Sequence, residues 1–370
     1  MATIVGFLTV GSTLTGTEDA DEIFGNARGP VNVATGSDRI FGRGGDDRIV
    51  GDTGEYFDGN GNYFPGNIGP AGRGGNDVIQ GGDGFDDIYG DSDSGLFGIG
   101  GNDILYQNAN EGTLIGDAFY VSTTARCGND QLYGDGILIG DANRGGRAAL
   151  FGNDILVAGS VSGFGSRLYG DLSDDTLEGN GLGGRDTLKG GAFGDRIVGD
   201  AEALGDDATG GNDRLWGNGD RDFLFGDADG GLFETSRGGN DVLRGGAGDD
   251  ALWGDGEVLS EFSKGGNDVL HGGAGDDDLR GDGELLESAQ GGKDRFVFAG
   301  TFGDDKIFDF RQADGDVLVF QGLTQSEVTQ TVVTVTDPND SLQLTTLGGE
   351  SVTLVGFTGP LIPGTDIVFA

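Results

Sequence analysis

A nine-residue unit recurs along this chain, and it leaves few folds open. Gly81 to Tyr89 reads Gly-Gly-Asp-Gly-Phe-Asp-Asp-Ile-Tyr, Gly245 to Trp253 reads Gly-Gly-Ala-Gly-Asp-Asp-Ala-Leu-Trp, and Gly272 to Arg280 reads Gly-Gly-Ala-Gly-Asp-Asp-Asp-Leu-Arg. Each unit is a six-residue glycine-rich turn ending in Asp, then three residues whose middle one is aliphatic. Anchoring on Asp-x-aliphatic gives 22 consecutive units between residues 16 and 308. Their middle residues run from Ile23 and Ile40 through Leu156, Leu168, Leu177 and Leu188 to Ile307; 21 are Ile or Leu and one is Phe296. Only a position facing a narrow shared core is filtered so tightly.

A three-residue strand buries nothing alone. Stacked in parallel at about 4.8 Å per coil, such strands merge their single inward side chains into one continuous core. Two units make a coil, with strands in two facing sheets and turns on two opposite edges. Eleven coils predict a rod on the order of 50 Å long. Glycine, 80 of 370 residues, suits turns that need positive φ and close backbone approach.

The residue just before the strand is an aspartate in 19 of the 22 units: Asp21, Asp38, Asp47, Asp77, Asp86, Asp103, Asp130, Asp154, Asp175, Asp186, Asp195, Asp213, Asp222, Asp241, Asp250, Asp268, Asp277, Asp294 and Asp305. Stacking sets these carboxylates in columns about 5 Å apart, which repel without a counter-ion. A hard divalent cation held by carboxylate and carbonyl oxygens relieves the repulsion. Calcium fits irregular oxygen cages better than magnesium.

The net charge of −41 points the same way and excludes nucleic acid and anionic membrane as electrostatic partners. No apolar run approaches the roughly 20 residues of a membrane span. The opening Met1-Ala-Thr-Ile-Val-Gly-Phe lacks a basic region before its apolar stretch, so a cleaved signal peptide is not expected. One cysteine, Cys127, rules out an internal disulfide and is expected to be a free thiol; one histidine, His271, rules out most His-based zinc and triad chemistry. No catalytic motif stands out: there is no nucleophile elbow, and Asp52-Thr-Gly54 has no second copy.

The unit is similar to the RTX, or hemolysin-type, calcium-binding nonapeptide G-G-x-G-x-D-x-U-x, over roughly residues 16–308. The resemblance implies an all-β, right-handed parallel β-roll with several calcium ions between successive turns, held by the unit's Asp and turn carbonyls. It divides the chain into an N-terminal cap strand (1–15), the roll (16–298) and a C-terminal β cap (299–370). Within that cap, 305–310, 316–320, 331–336, 341–347 and 351–357 alternate like antiparallel strands, with a turn at 337–340. The last residues, Asp366, Ile367, Val368, Phe369 and Ala370, are similar to the terminus read by bacterial type I secretion machinery. That similarity implies a secreted, extracellular protein that folds on meeting calcium outside the cell, with a structural, adhesive or interaction role and a surface polysaccharide or protein as partner. The competing reading is a polysaccharide-acting enzyme whose site lies on the loops of the roll.

The repeat also departs from its pattern. Long turns at 25–38, 51–77, 90–103, 116–130 and 140–154 fall on one edge, and, counting units, those at 199–213, 226–241, 254–268 and 281–294 fall on the other. The fringe of loops is therefore expected to change edges near 158–198, unless a half-coil is lost there. Gly112, Gly136 and Ser166 replace the aspartate in three units of one edge, so a calcium-free gap is expected beside at most about 16 ions. Tyr89, Ile115, Ile139 and Tyr169 form an outward stripe near the gap that is expected to be covered by the long loops or to offer a docking surface.

Overall fold

The computed structural model describes residues 2–5, 12–25, 36–52, 55–57, 63–65, 67–108, 112–145, 147–159, 163–333 and 341–370. Its body is two facing parallel sheets, a front sheet of fifteen strands and a back sheet of thirteen, with successive units alternating between them. In the front sheet Ile88 lies opposite Leu114, then Leu138, Leu168 and Ile197. In the back sheet Ile79 lies opposite Leu105, then Leu132, Leu156 and Leu188. All of these side chains are fully buried and join one core that runs the length of the roll. The one-residue filter in the sequence is therefore the inner seam of a β-roll. Tight turns need the expected glycines: Gly246 and Gly273 sit at φ +122° and +123°, and a Cβ on Gly273 would strike the carbonyl of Gly246.

One unit was misassigned. Thr187–Lys189 pairs directly with Ile155–Ala158, Leu188 against Leu156, so no core strand lies between Ser166 and Asp186 apart from Arg167–Tyr169. Leu177 belongs to an insertion, and Asp175 is outside both columns, only half-buried. The half-coil is lost, and the long turns do not change edges. They all connect the front sheet to the back sheet along a single edge.

From the turn at 90–103 onward they are also not loops. Ser92–Leu96, Ala118–Val121 and Ala142–Gly145 pair in parallel, as do Thr176–Leu177, Ala201–Leu204, Ala228–Leu232, Val258–Leu259 and Glu284–Leu285. Their returning arms bridge in parallel from Arg73 through Ile99, Arg126, Leu150 and Leu182 to Gln290. A second apolar core of Leu96, Val121, Leu172, Leu204, Leu232 and Leu259, all fully buried, fills this annex. Each insertion is too short to be stable alone, but stacking at strand spacing gives it the same logic as the roll. Ile115 and Ile139 are 1% and 0% exposed, so the expected outward stripe is not an open surface.

The ends extend the roll. Thr3–Val5 pairs with Glu22–Phe24 and Thr13–Thr15 with Arg39–Gly44, so these two strands add to the front and back sheets at the start of the roll. At the other end Asp304–Ile307 and Val317–Gln321 are parallel members of the two sheets, a correction to the antiparallel reading of 305–310 and 316–320 and to the boundary at 298. The antiparallel part is Val328–Val333, Ser341–Thr346 and Ser351–Leu354, and it closes the front sheet. Residues 337–340 lie outside the described residues. Ile367–Phe369 pairs with Val317–Gln321 as the outermost strand of the back sheet.

Candidate metal centres

The repeat aspartates stand where the turn meets the strand, and the roll assembles them into two ordered columns. Along the long-turn edge run Asp38, Asp77, Asp103, Asp130, Asp154, Asp186, Asp213, Asp241, Asp268 and Asp294; along the short-turn edge run Asp21, Asp47 and Asp86, then Asp195, Asp222, Asp250, Asp277 and Asp305. Every one is at most 3% exposed. Each carboxylate reaches back one coil through Oδ1; Asp21, Asp38 and Asp195 accept the N–H of Ala2, Ser12 and Ser166, and the others that of the preceding column aspartate, as in Asp103 to Asp130 (2.7 Å), Asp130 to Asp154 (2.7 Å) and Asp222 to Asp250 (2.8 Å). Asp316 prolongs the long column, accepting from Asp294 N at 3.1 Å.

That bond uses one oxygen. The other, Oδ2, is buried without a hydrogen-bond partner in Asp38, Asp77, Asp103, Asp130, Asp154, Asp186, Asp213, Asp241, Asp268 and Asp294, and in Asp47, Asp86, Asp222, Asp250, Asp277 and Asp305. A buried oxygen left alone costs several kcal/mol, more when charged, and proteins rarely tolerate even a few. Here they come in ranks. The space they face is kept open by glycine: a Cβ on Gly90 would strike both Oδ2 of Asp103 and the carbonyl of Gly116, and one on Gly116 would strike Asp130 Oδ2 and the Gly140 carbonyl. Carboxylate and carbonyl oxygens from successive coils thus converge on one small volume, the donor set that calcium takes.

A second series was missed in the sequence. Asp91, Asp117, Asp141, Asp171, Asp200, Asp227 and Asp255 follow the glycine that ends each front strand, and all are fully buried. Each closes the base of its own insertion by accepting a glycine N–H, for example Gly128 to Asp117 (2.9 Å) and Gly152 to Asp141 (2.8 Å). Oxygens of Asp91, Asp117, Asp141, Asp227 and Asp255 remain unpartnered. One ligand oxygen each of Asp130, Asp141 and Asp154 lie within 4.8 Å of one another, and so do those of Asp154, Asp171 and Asp186. At these two places the long-turn edge therefore offers three carboxylates. The signal was legible, since Gly-Asp recurs at 90–91, 116–117, 140–141 and 170–171, but its meaning depended on recognising the insertions as regular.

Electrostatics follow from the packing. Burial, with the neighbouring carboxylates adding to it, pushes the carboxyls of Asp103 and Asp186 well above the usual range, and burial alone among the raising causes does most for Asp130 and Asp154 with a neighbouring aspartate second. On the short-turn edge burial raises Asp47 to about 6, Asp222 to about 8 and Asp305 to about 9. Carboxylates one strand spacing apart repel by about 3–4 kcal/mol at an effective dielectric of about 20. Ionised together they need a cation, and with divalent ions between coils that repulsion becomes attraction.

The short column is interrupted at the expected place. Gly112 lies opposite Gly136 in the front sheet, the next coil carries Ser166, and Ser166 Oγ accepts Gly136 N at 3.2 Å. Gln107, 7% exposed, puts its amide beside Gly112, and neither amide atom has a hydrogen-bond partner. Asp135, in the shortened turn, is buried as well. The narrowed turns leave a cleft of about 580 Å³ lined by Arg43, Gln80, Gln107, Asn108 and the stacked rings of Tyr106 and Tyr133, with no acidic residue in its lining.

Stacked acidic columns along a glycine-turned parallel solenoid define a class of protein with the donor set for divalent cations. The family model of the RTX calcium-binding nonapeptide repeat matches residues 32–57, 71–95, 180–203, 207–231, 236–257 and 263–284. These stretches carry RTX calcium-binding repeats, and the fold is the β-roll that such repeats build. The matched stretches leave out residues 96–179, where the gap and Cys127 lie. No curated protein matches the chain.

Proposed function

We propose that this protein is exported by a type I route, remains extended where calcium is scarce, folds on calcium outside the cell, and acts there as a structural or adhesive element without catalysis. The observation that carries the reading is the rank of buried carboxylates, sixteen of the eighteen column members having one oxygen satisfied by backbone and one by nothing. At −41 the calcium-free chain repels itself, and millimolar extracellular calcium matches the roughly 10⁻⁴–10⁻³ M affinities of extracellular modules. Loading and folding are then one event. Asp366 to Ala370 supports export by its similarity to a secretion terminus; in the folded protein it is tied down, Asp366 accepting from Gln312 Nε2 (2.6 Å) and Ile362 N (2.6 Å). That placement suits a signal read before folding and buried afterwards.

Circular dichroism of the full chain at neutral pH tests the first half: β signal in millimolar calcium, a disordered spectrum in excess chelator, and full recovery on adding calcium back. An equally folded protein in chelator would sink it. Turnover of acidic or neutral polysaccharides by the calcium-loaded protein would remove the non-catalytic half and favour an enzyme on the roll.

A further inference from the structure

Cys127 occupies a position that is glycine in most coils and Phe151 in the next one. The residue before the Gly-x-Asp that re-enters the back sheet is Gly74, Gly100, Gly183, Gly210, Gly238 or Gly265 in six other coils. A Cβ at any of these would collide with Oδ1 of the aspartate that opens the next insertion: Asp91 for Gly74, Asp117 for Gly100, Asp200 for Gly183 and Asp227 for Gly210. In one coil the chain places a thiol there instead. Cys127 keeps the ladder bond, donating its backbone N–H to the Leu150 carbonyl at 2.9 Å. Its Sγ and one oxygen each of Asp117 and Asp141 lie within 4.8 Å of one another. Both aspartates are fully buried, and Oδ1 of each has no hydrogen-bond partner, the Oδ2 atoms being held by Gly128 N and Gly152 N.

We propose that Cys127, Asp117 and Asp141 form one site in the array that selects a thiophilic divalent cation, zinc or cadmium, over calcium. A thiolate with two carboxylates is a donor set that zinc accepts at short distance, whereas calcium takes oxygen and gains little from sulfur. The thiol proton is released to solvent as the ion binds. Asp141 also belongs to the neighbouring group with Asp130 and Asp154, so the foreign ion sits in line with the calcium column and shares a ligand with it. The proposal rests on the calcium-folded roll, and it gives this stretch of the column one ion of a different kind.

The test uses full-length protein folded in millimolar calcium and titrated with cadmium, then zinc. One equivalent per chain with a thiolate-to-cadmium charge-transfer band is expected, with zinc displacing that band at unchanged calcium. Cys127→Gly introduces the residue found in those six other coils. It keeps the calcium-induced dichroism and loses the band and the tight equivalent. Asp141→Asn weakens cadmium binding at least tenfold while the band, where formed, persists. On the wild-type protein, zinc slows modification of Cys127 by a thiol reagent, a readout independent of any variant. Cadmium binding without the band, an unchanged titration in Cys127→Gly, or thiol reactivity unaffected by zinc overturns the proposal. Loss of calcium-induced dichroism in the wild type instead overturns the folding reading on which it rests.

Discussion

Asp154→Asn and Asp175→Asn form a matched pair, because both residues satisfy the same sequence signature and only one stands in a column. Asp154 belongs to the groups with Asp130 and Asp141 and with Asp171 and Asp186, so its loss strips a charge from two successive sites. The amide keeps an acceptor for Asp130 N but aims a neutral group where Oδ2 faced the ion. Breaking a buried charged constellation by removing one member costs about 3–5 kcal/mol. For 370 residues unfolding together, an entropy of about 2.1 cal/mol/K per residue gives about 0.8 kcal/mol per degree, hence a Tm lower by about 4–6 °C in calcium. Spread over about 15 cooperatively bound ions, the same penalty raises the calcium midpoint by less than about twofold, so the melt is the sharper assay. Asp175→Asn changes neither. Equal shifts for the two variants, or none for Asp154→Asn, would refute the column argument.

Without calcium, acid should restore order. The column carboxyls are raised in the roll, Asp47 to about 6, Asp222 to about 8 and Asp305 to about 9, so the folded state binds more protons than the unfolded chain. Stability of the metal-free roll is then present below about pH 4, the unfolded value, and is lost as pH rises through about 6 to 9; dichroism in chelator across that range reads it, and a flat profile contradicts it. Gly90→Ala drives a Cβ into Asp103 Oδ2 and the Gly116 carbonyl and should cost about 3 kcal/mol with weakened calcium binding, whereas Gly205→Ala, which meets only Thr176 Cγ2 at 3.5 Å, should be near neutral in the same melts. Leu132→Ala, in the middle of the seam, should cost about 2–5 kcal/mol while leaving the order of metal binding intact by calorimetry.

The nine-residue spacing by itself determined the solenoid, its seam from Ile23 to Ile307, and eighteen of the nineteen column aspartates, because each of those positions is specified by its own unit. The place of the break at Gly112, Gly136 and Ser166 was legible for the same reason. What the spacing left open was parity. Leu177 follows Asp175 with the right signature, yet it packs with Leu172 and Leu204 in the annex, and no local rule separates a core leucine from one in a stacked insertion. Only pairing between coils decided it: Leu188 meets Leu156, which drops a half-coil, puts every insertion on one edge and brings Asp117, Asp141 and Asp171 beside the column. Short strands in the insertions exist solely because identical neighbours lie a strand spacing away, and that stabilisation has no trace in any single copy.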